Sequence, residues 1–120
     1  IFIAGICEGM GSLSVRAGAG IYRGPDPSWK RSHNHALRVP GPALSRNRAA
    51  CFALWVAIYD FPLDKPIMVV SDSQFLVYAL THNALHNAKL GWTCANGDLL
   101  KAIVARIQQR GGPTHLSYVR

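Results

Sequence analysis

Acidic residues are scarce in this 120-residue chain, which carries 6 Asp and Glu against 13 Lys and Arg. Only one of the acids is a glutamate, Glu8. This scarcity limits any catalytic mechanism that needs several carboxylates. The formal net charge of +7 favours an anionic partner, and nucleic acid is the commonest partner of a strongly basic domain.

Cysteines are few in this sequence, and long apolar runs are absent from it. The three cysteines, Cys7, Cys51 and Cys94, are widely spaced and form no Cys-x-x-Cys pair. We therefore expect neither a disulfide scaffold nor a zinc site, and we expect an intracellular protein of unassigned compartment. No apolar run approaches the roughly 20 residues of a membrane span, so we expect no membrane partner. The sequence shows no nucleophile elbow and no phosphate-binding loop with its lysine.

The chain nevertheless contains enough apolar material for a single domain over residues 1–120. Hydrophobic residues make up 49% of it. A chain of this length buries about two-thirds of its unfolded surface and does not need disulfide bonds or metal ions to fold. Short β-prone runs predict three strands, at residues 1–7, 13–23 and 33–39, before a Pro-Gly-Pro break.

Helices and strands alternate in the second half. Residues 44–59 predict a helix that begins at Ser45 as N-cap, and residues 67–71 predict a buried central strand. The later elements are a helix at 73–81, a looser segment at 82–92, a helix at 96–110 and a strand at 114–120. The order β-β-β-α-β-α-α-β predicts an α/β fold with a five-stranded mixed sheet flanked by helices.

Several short motifs accompany this order of elements. In chain order they are Ala4-Gly5, Ala17-Gly18-Ala19-Gly20-Ile21-Tyr22, Asn47-Arg48-Ala49, Ser71-Asp72-Ser73-Gln74-Phe75, Gly91-Trp92 and Asn96-Gly97-Asp98-Leu99. Together, the order and the motifs resemble the ribonuclease H type 1 domain over nearly the whole chain. The resemblance implies the ribonuclease H-like fold in a C-terminally truncated form, with the family's last helix missing. We expect that missing helix to leave an apolar patch, which more chain, a protein partner or a second copy would cover.

The family cleaves the RNA strand of RNA–DNA hybrids with two divalent metal ions held by four carboxylates. Such cations clamp the attacking and leaving oxygens of a phosphate displacement. Carried onto this sequence, the ligand positions fall on Ala4, Ala50 and Asp72, and the fourth would lie beyond Arg120. The resemblance therefore implies a degenerate site that holds no cofactor in this form, although complete carboxylates would hold Mg²⁺ or Mn²⁺.

The remaining acids and histidines have two interpretations each. Asp72 is either a retained metal ligand or the cap of the helix that follows it, and the two roles are compatible. Asp98 is expected to be a favourable charge at a helix N-terminus. His82 and His86 have the spacing of a zinc pair on one helix, but no third ligand is near, so surface histidines are favoured. Cys51 is expected in the core.

Basic residues come from several segments of the chain. In the family's fold, the start of the central helix and the segment around residues 82–92 flank the hybrid-binding face. The resemblance thus predicts that Arg46, Arg48 and Lys89 contact phosphate and that Trp92 stacks on a sugar or base. The alternative is a solvated basic surface.

The leading hypothesis is a ribonuclease H-like domain that binds nucleic acid, with an RNA–DNA hybrid favoured, and has lost catalysis. The first alternative is an authentic ribonuclease H in an inactivated or truncated form, because alanine at both missing ligands is what deliberate inactivation would leave. The second alternative is a module that interacts only with protein.

Overall fold

The computed structural model describes residues 1–8, 16–22, 35–40, 44–59 and 61–119. Within these ranges the strands are β1 (Phe2–Glu8), β2 (Arg16–Tyr22), β3 (His35–Arg38), β4 (Ile67–Ser71) and β5 (Thr114–Tyr118). The helices are α1 (Arg46–Tyr59), α2 (Gln74–Thr81), α3 (Ala84–Lys89) and α4 (Gly97–Gln109). The predicted elements are present at nearly the predicted bounds, and α3 lies in the segment expected to be irregular.

The strands form one mixed sheet in the order β3-β2-β1-β4-β5. β2 pairs antiparallel with both β1 and β3, whereas β4 pairs parallel with both β1 and β5. The register places Ala4 opposite Gly20 and Ile3 opposite Ser71. The expected α/β fold with a five-stranded mixed sheet packed against helices is therefore confirmed.

Helix α1 packs against one face of the sheet through small and aliphatic residues, and α4 packs beside it. The buried residues of α1 are Ala49, Ala50, Cys51, Ala53, Leu54, Ala57 and Ile58. Cys51 is fully buried, as expected of a core residue, and desolvation raises the pKa of its thiol to about 12. The thiol is therefore neutral at physiological pH, and its role is packing.

Gly5 allows the first turn of α1 to lie directly against β1. A Cβ at this position would come within 2.5 Å of the Ala50 backbone nitrogen and 2.8 Å of the Arg46 carbonyl oxygen. Close packing of helix and strand therefore depends on the absence of a side chain. This contact fixes where α1 begins relative to the sheet.

The opposite face of the sheet is more exposed. Met68 and Val70 alternate along β4 with the buried Ile67 and Val69, and Met68 is 65% exposed. In β2, Tyr22 follows the buried Ile21 and is 52% exposed. Over the described ranges, no helix is both long enough and apolar enough to cross a membrane.

Candidate functional site

A cleft of about 220 Å³ lies where the carboxyl end of β4 meets the first turns of α1 and α2. Its lining residues are Gly5, Arg46, Asn47, Ala50, Asp72, Ser73, Gln74 and Phe75. Two of the three ligand positions that the resemblance implied, Ala50 and Asp72, thus line one cleft. Arg46, one of the predicted phosphate contacts, lines it as well.

Ala4 lies beside this cleft on the neighbouring strand. The parallel register pairs Ile3 with Ser71, so the next residues along the two strands are Ala4 and Asp72. Paired strands run about 4.8 Å apart. Ala4 is therefore near Asp72 in the sheet register, but it does not line the cleft, because it alternates in β1 with Gly5, the residue that faces α1. Of the three positions, Asp72 alone carries a carboxylate.

The carboxylate of Asp72 forms an ion pair with Arg46. The distance between Arg46 Nη2 and Asp72 Oδ2 is 3.5 Å, and the two side chains are 68% and 32% exposed. An exposed pair of this kind contributes little to stability, on the order of 1 kcal/mol at most. Its effect is local, because the guanidinium offsets the negative charge that the cleft would otherwise carry.

Ser73, rather than Asp72, caps helix α2. The Oγ of Ser73 accepts a hydrogen bond from the backbone N–H of Leu76 at 3.2 Å, and the Oγ of Ser71 accepts one from the N–H of Ser73 at 3.1 Å. The prediction that Asp72 caps this helix is wrong, because the hydroxyl one residue later already occupies the capping position. The Asp72 carboxylate is left to line the cleft. At α1, the predicted Ser45 cap is confirmed by a hydrogen bond from the Arg48 N–H at 3.0 Å.

The donor set of this cleft does not fit a two-metal site. Asp72 is the only acidic lining residue in the described part of the chain, and it is already ion-paired. Across the same ranges, no group of three or more His, Cys, Asp or Glu side chains converges. Mg²⁺ requires oxygen ligands in near-octahedral geometry, and one paired carboxylate does not supply the shared ligands that two such ions need.

The two histidines with zinc-like spacing lie on different helices. His82 is the C-cap residue of α2, whereas His86 lies inside α3. The break at Asn83 removes the one-helix geometry that their spacing suggested. The ring of His82 instead packs edge-on against Tyr78, with the ring centroids 4.7 Å apart.

Arg48 forms an ion pair that sequence reasoning missed. Its Nη1 and Nη2 donate to the two carboxylate oxygens of Asp98 at 3.0 and 2.8 Å, a bidentate arrangement. These hydrogen bonds lower the pKa of Asp98 to about 2 and raise the pKa of Arg48. The pair joins the first turn of α1 to the first turn of α4. Both Nη atoms are thus engaged, and contact between Arg48 and nucleic acid stays a prediction.

Replacing Asp98 with asparagine is expected to lower the free energy of unfolding by about 1 kcal/mol at pH 7, since the carboxylate is 65% exposed and solvent screens the pair. The folded-state pKa of Asp98, about 2, lies below the ordinary aspartate value of 3.8. The stabilisation that the Asp98 carboxylate gives to the folded state is therefore complete above the unfolded-state pKa. It is lost as the pH falls through the folded-state pKa. Urea unfolding at pH 7 and at about pH 3 measures this loss.

A double-mutant cycle with Arg48→Gln separates the pair from other effects of each substitution. The coupling energy should be about 1 kcal/mol at pH 7 and about half as large near pH 3. A coupling energy that does not change with pH would show that the carboxylate of Asp98 is not the partner of Arg48.

Lys89 and Trp92 are not among the described residues that line the cleft. Lys89 is the exposed last residue of α3. Trp92 has a left-handed backbone (φ 58°) and packs partly buried against the core. Its carbonyl lies where a Cβ on Gly97 would be, so the start of α4 requires glycine. Their predicted contacts with nucleic acid stay predictions.

A scan against protein-family models matched none of them, and a search of curated proteins found no significant match.

Proposed function

We propose that this chain is a ribonuclease H-like domain that binds nucleic acid, with an RNA–DNA hybrid favoured, without cleaving it. The observation that carries the proposal is the cleft at the carboxyl end of β4. Ala50 and Asp72 line it and Ala4 lies beside it, at the positions where the resemblance implies metal-binding carboxylates. The sheet with its flanking helices agrees with the fold that the same resemblance implies.

The chemistry of the cleft supports binding of a phosphate. Arg46 lines it with a guanidinium that is 68% exposed and held by one long contact. The exposed side-chain amides of Asn47 and Gln74 lie in the same lining. Helices α1 and α2 both begin here, and the amino end of a helix favours negative charge. A backbone phosphate of the nucleic acid would therefore bind directly to protein groups. Arg46 would release the Asp72 carboxylate and pair with the phosphate instead.

The same groups argue against hydrolysis. Metal-dependent cleavage of a phosphodiester uses the ions to activate water and to stabilise the leaving oxygen. With alanine at two ligand positions and Asp72 paired with Arg46, the described residues offer no set of oxygen ligands for those ions. Binding without turnover is the outcome that this donor set supports.

The first test is a cleavage and binding assay on one end-labelled RNA–DNA hybrid, with duplex DNA and duplex RNA as controls. We expect the RNA strand to remain intact in Mg²⁺ and in Mn²⁺, and we expect the hybrid to bind equally well in EDTA. Affinity should fall steeply with salt. Hybrid-specific cutting that is lost in Asp72→Asn would instead support the authentic ribonuclease H.

A charge-matched pair of variants locates the binding site. Arg46→Gln removes a cation from the cleft, whereas Lys65→Gln removes an exposed cation before the amino end of β4. We expect Arg46→Gln to weaken hybrid binding about tenfold and to lower the salt slope by about one, and Lys65→Gln to change affinity less than about twofold. Equal losses would indicate a diffuse basic surface. If the hybrid does not bind even at low salt, the remaining hypothesis is the module that interacts only with protein.

A further inference from the structure

Asp72 differs in its chemistry from the other polar groups that the structure describes around the cleft at the carboxyl end of β4. The other polar side chains of the lining, those of Arg46, Asn47, Ser73 and Gln74, all carry hydrogen-bond donors. The amino ends of α1 and α2 add backbone N–H groups. A carboxylate accepts hydrogen bonds and donates none, and its charge repels the phosphate that the donors favour. The presence of Asp72 here therefore needs its own explanation.

The carboxylate of Asp72 is accessible to a ligand. Helix capping does not occupy it, because the Oγ of Ser73 accepts the Leu76 N–H. Its contact with Arg46 spans 3.5 Å between Nη2 and Oδ2, which is longer than the usual hydrogen bond between charged groups. The Asp72 side chain is 32% exposed. When a phosphate binds Arg46, the oxygens of Asp72 are left beside that phosphate and accept from the ligand.

The ligand that fits both side chains carries a hydrogen-bond donor directly beside a phosphate. The DNA backbone has only acceptors there, the phosphate and sugar oxygens. Each ribonucleotide adds a 2′-hydroxyl, which donates as well as accepts, on the carbon next to the one that bears the 3′-phosphate oxygen. Donors on the bases of a duplex lie in the grooves. A ribose backbone thus offers a phosphate to Arg46 and a hydroxyl to Asp72.

We infer that Asp72 determines the preference of this domain for RNA, by accepting a hydrogen bond from a ribose 2′-hydroxyl while Arg46 binds the adjacent phosphate. The inference rests on the proposed function, because it assigns a role within the same cleft. Beside a deoxyribose strand, the carboxylate meets no donor, competes for Arg46 and repels the phosphate. The same side chain therefore favours the RNA strand of a hybrid and disfavours DNA.

Two hybrids that differ only at the 2′ position test this role. One pairs DNA with RNA, and the other pairs the same DNA with 2′-fluoro RNA, which keeps the sugar pucker of RNA but has no 2′-hydroxyl to donate. Titrations in EDTA prevent metal-dependent cleavage. We expect the unsubstituted chain to bind the RNA hybrid about tenfold more tightly, because one hydrogen bond to a charged group is lost with fluorine. Equal affinities would overturn the role of Asp72 and leave the proposed function intact. If neither hybrid binds at low salt, both are overturned.

Variants in the cleft locate the preference. In Asp72→Ala, the ratio of the two affinities should fall to within about twofold of one. The 2′-fluoro hybrid should also bind more tightly than it does to the unsubstituted chain, because a competing negative charge is gone. Asp72→Asn keeps a neutral acceptor and should hold the ratio near about threefold, since a hydrogen bond to a neutral group is weaker.

Arg46→Gln is the matched control for these variants. It should weaken binding of both hybrids by similar factors and keep their ratio, because Arg46 contacts the phosphate that they share. The Arg46–Asp72 pair is exposed and contributes little to stability, so all three variants should fold, which thermal unfolding checks. A ratio that stays near tenfold in Asp72→Ala would overturn the inference, because the hydroxyl would then be recognised by another group.

Discussion

Replacing Gly5 with alanine is expected to lower the free energy of unfolding by about 3 kcal/mol. The added Cβ would lie 2.5 Å from the backbone nitrogen of Ala50 and 2.8 Å from the carbonyl oxygen of Arg46. Both are backbone atoms, so no side-chain rotation relieves the overlap, and α1 must move away from β1. Urea unfolding of the two proteins measures the difference.

Gly20→Ala is the matched control, because Gly20 lies in the adjacent strand of the same sheet. Among the described residues, a Cβ there would meet only the Ala4 carbonyl oxygen, at an ordinary 3.9 Å. Its effect should lie within about 0.5 kcal/mol of zero, since the substitution also reduces the entropy of the unfolded chain. Similar small effects at both glycines would contradict the close packing of α1 on β1, and with it the arrangement of the cleft.

The elements that could be predicted from sequence are those with a strong local pattern. Apolar residues recur at helical spacing over residues 96–110, at Leu99, Leu100, Ile103, Val104 and Ile107. In α4, Leu100 and Ile103 are fully buried and the other three are partly buried. The continuous apolar run at 67–71 forms the parallel strand β4, but β4 lies second from the edge of the sheet and Met68 is 65% exposed, so the prediction of a buried central strand is wrong in both respects. Helix α3 was not predicted, because it has only 6 residues and none of them is buried. A helix of this kind leaves no apolar period in the sequence.

The contacts that sequence missed are those between distant segments. The Arg48–Asp98 pair joins residues 50 positions apart, and no spacing rule links two charges on different helices. The prediction of Asp72 as helix cap was wrong because Ser73, one residue later, is an equally good type of capping residue, and only the three-dimensional structure shows that its side chain accepts the Leu76 N–H. Ala50 and Asp72, 22 positions apart in the sequence, line one cleft, and the functional meaning that the resemblance gives to these positions stays a prediction.

Arg110 is the clearest case of a basic residue whose role depends on tertiary structure. Its side chain follows the last turn of α4 and is only 8% exposed. Nη1 donates to the Pro62 carbonyl at 3.1 Å, Nη2 donates to the Lys65 carbonyl, and the guanidinium lies over the Phe61 ring, 5.5 Å from its centroid. Desolvation lowers its pKa. Arg110 thus joins the end of α4 to the loop that leads into β4.

Arg110→Met is expected to lower the free energy of unfolding by about 3 kcal/mol. Two opposing effects decide this value. Removing a desolvated charge is favourable, but the substitution deletes two charge-assisted hydrogen bonds worth about 1.5–3 kcal/mol each, and the second effect is larger. Lys101→Met, at an exposed position on the same helix, is the control and should change stability by less than about 0.5 kcal/mol.

Hydrogen exchange distinguishes loss of this connection from a general loss of stability. The N–H groups of Gly111 and Gly112 both donate to the Leu63 carbonyl at 2.9 Å, so they report on the loop that Arg110 holds. In Arg110→Met these two amides should exchange faster even after correction for the change in global stability. If the variant is as stable as Lys101→Met, and both amides keep their protection, water replaces the guanidinium at the loop carbonyls. The connection between the end of α4 and β4 would then rest on backbone hydrogen bonds, those of Gly111 and Gly112 and the one from the Ile67 N–H to the Pro113 carbonyl.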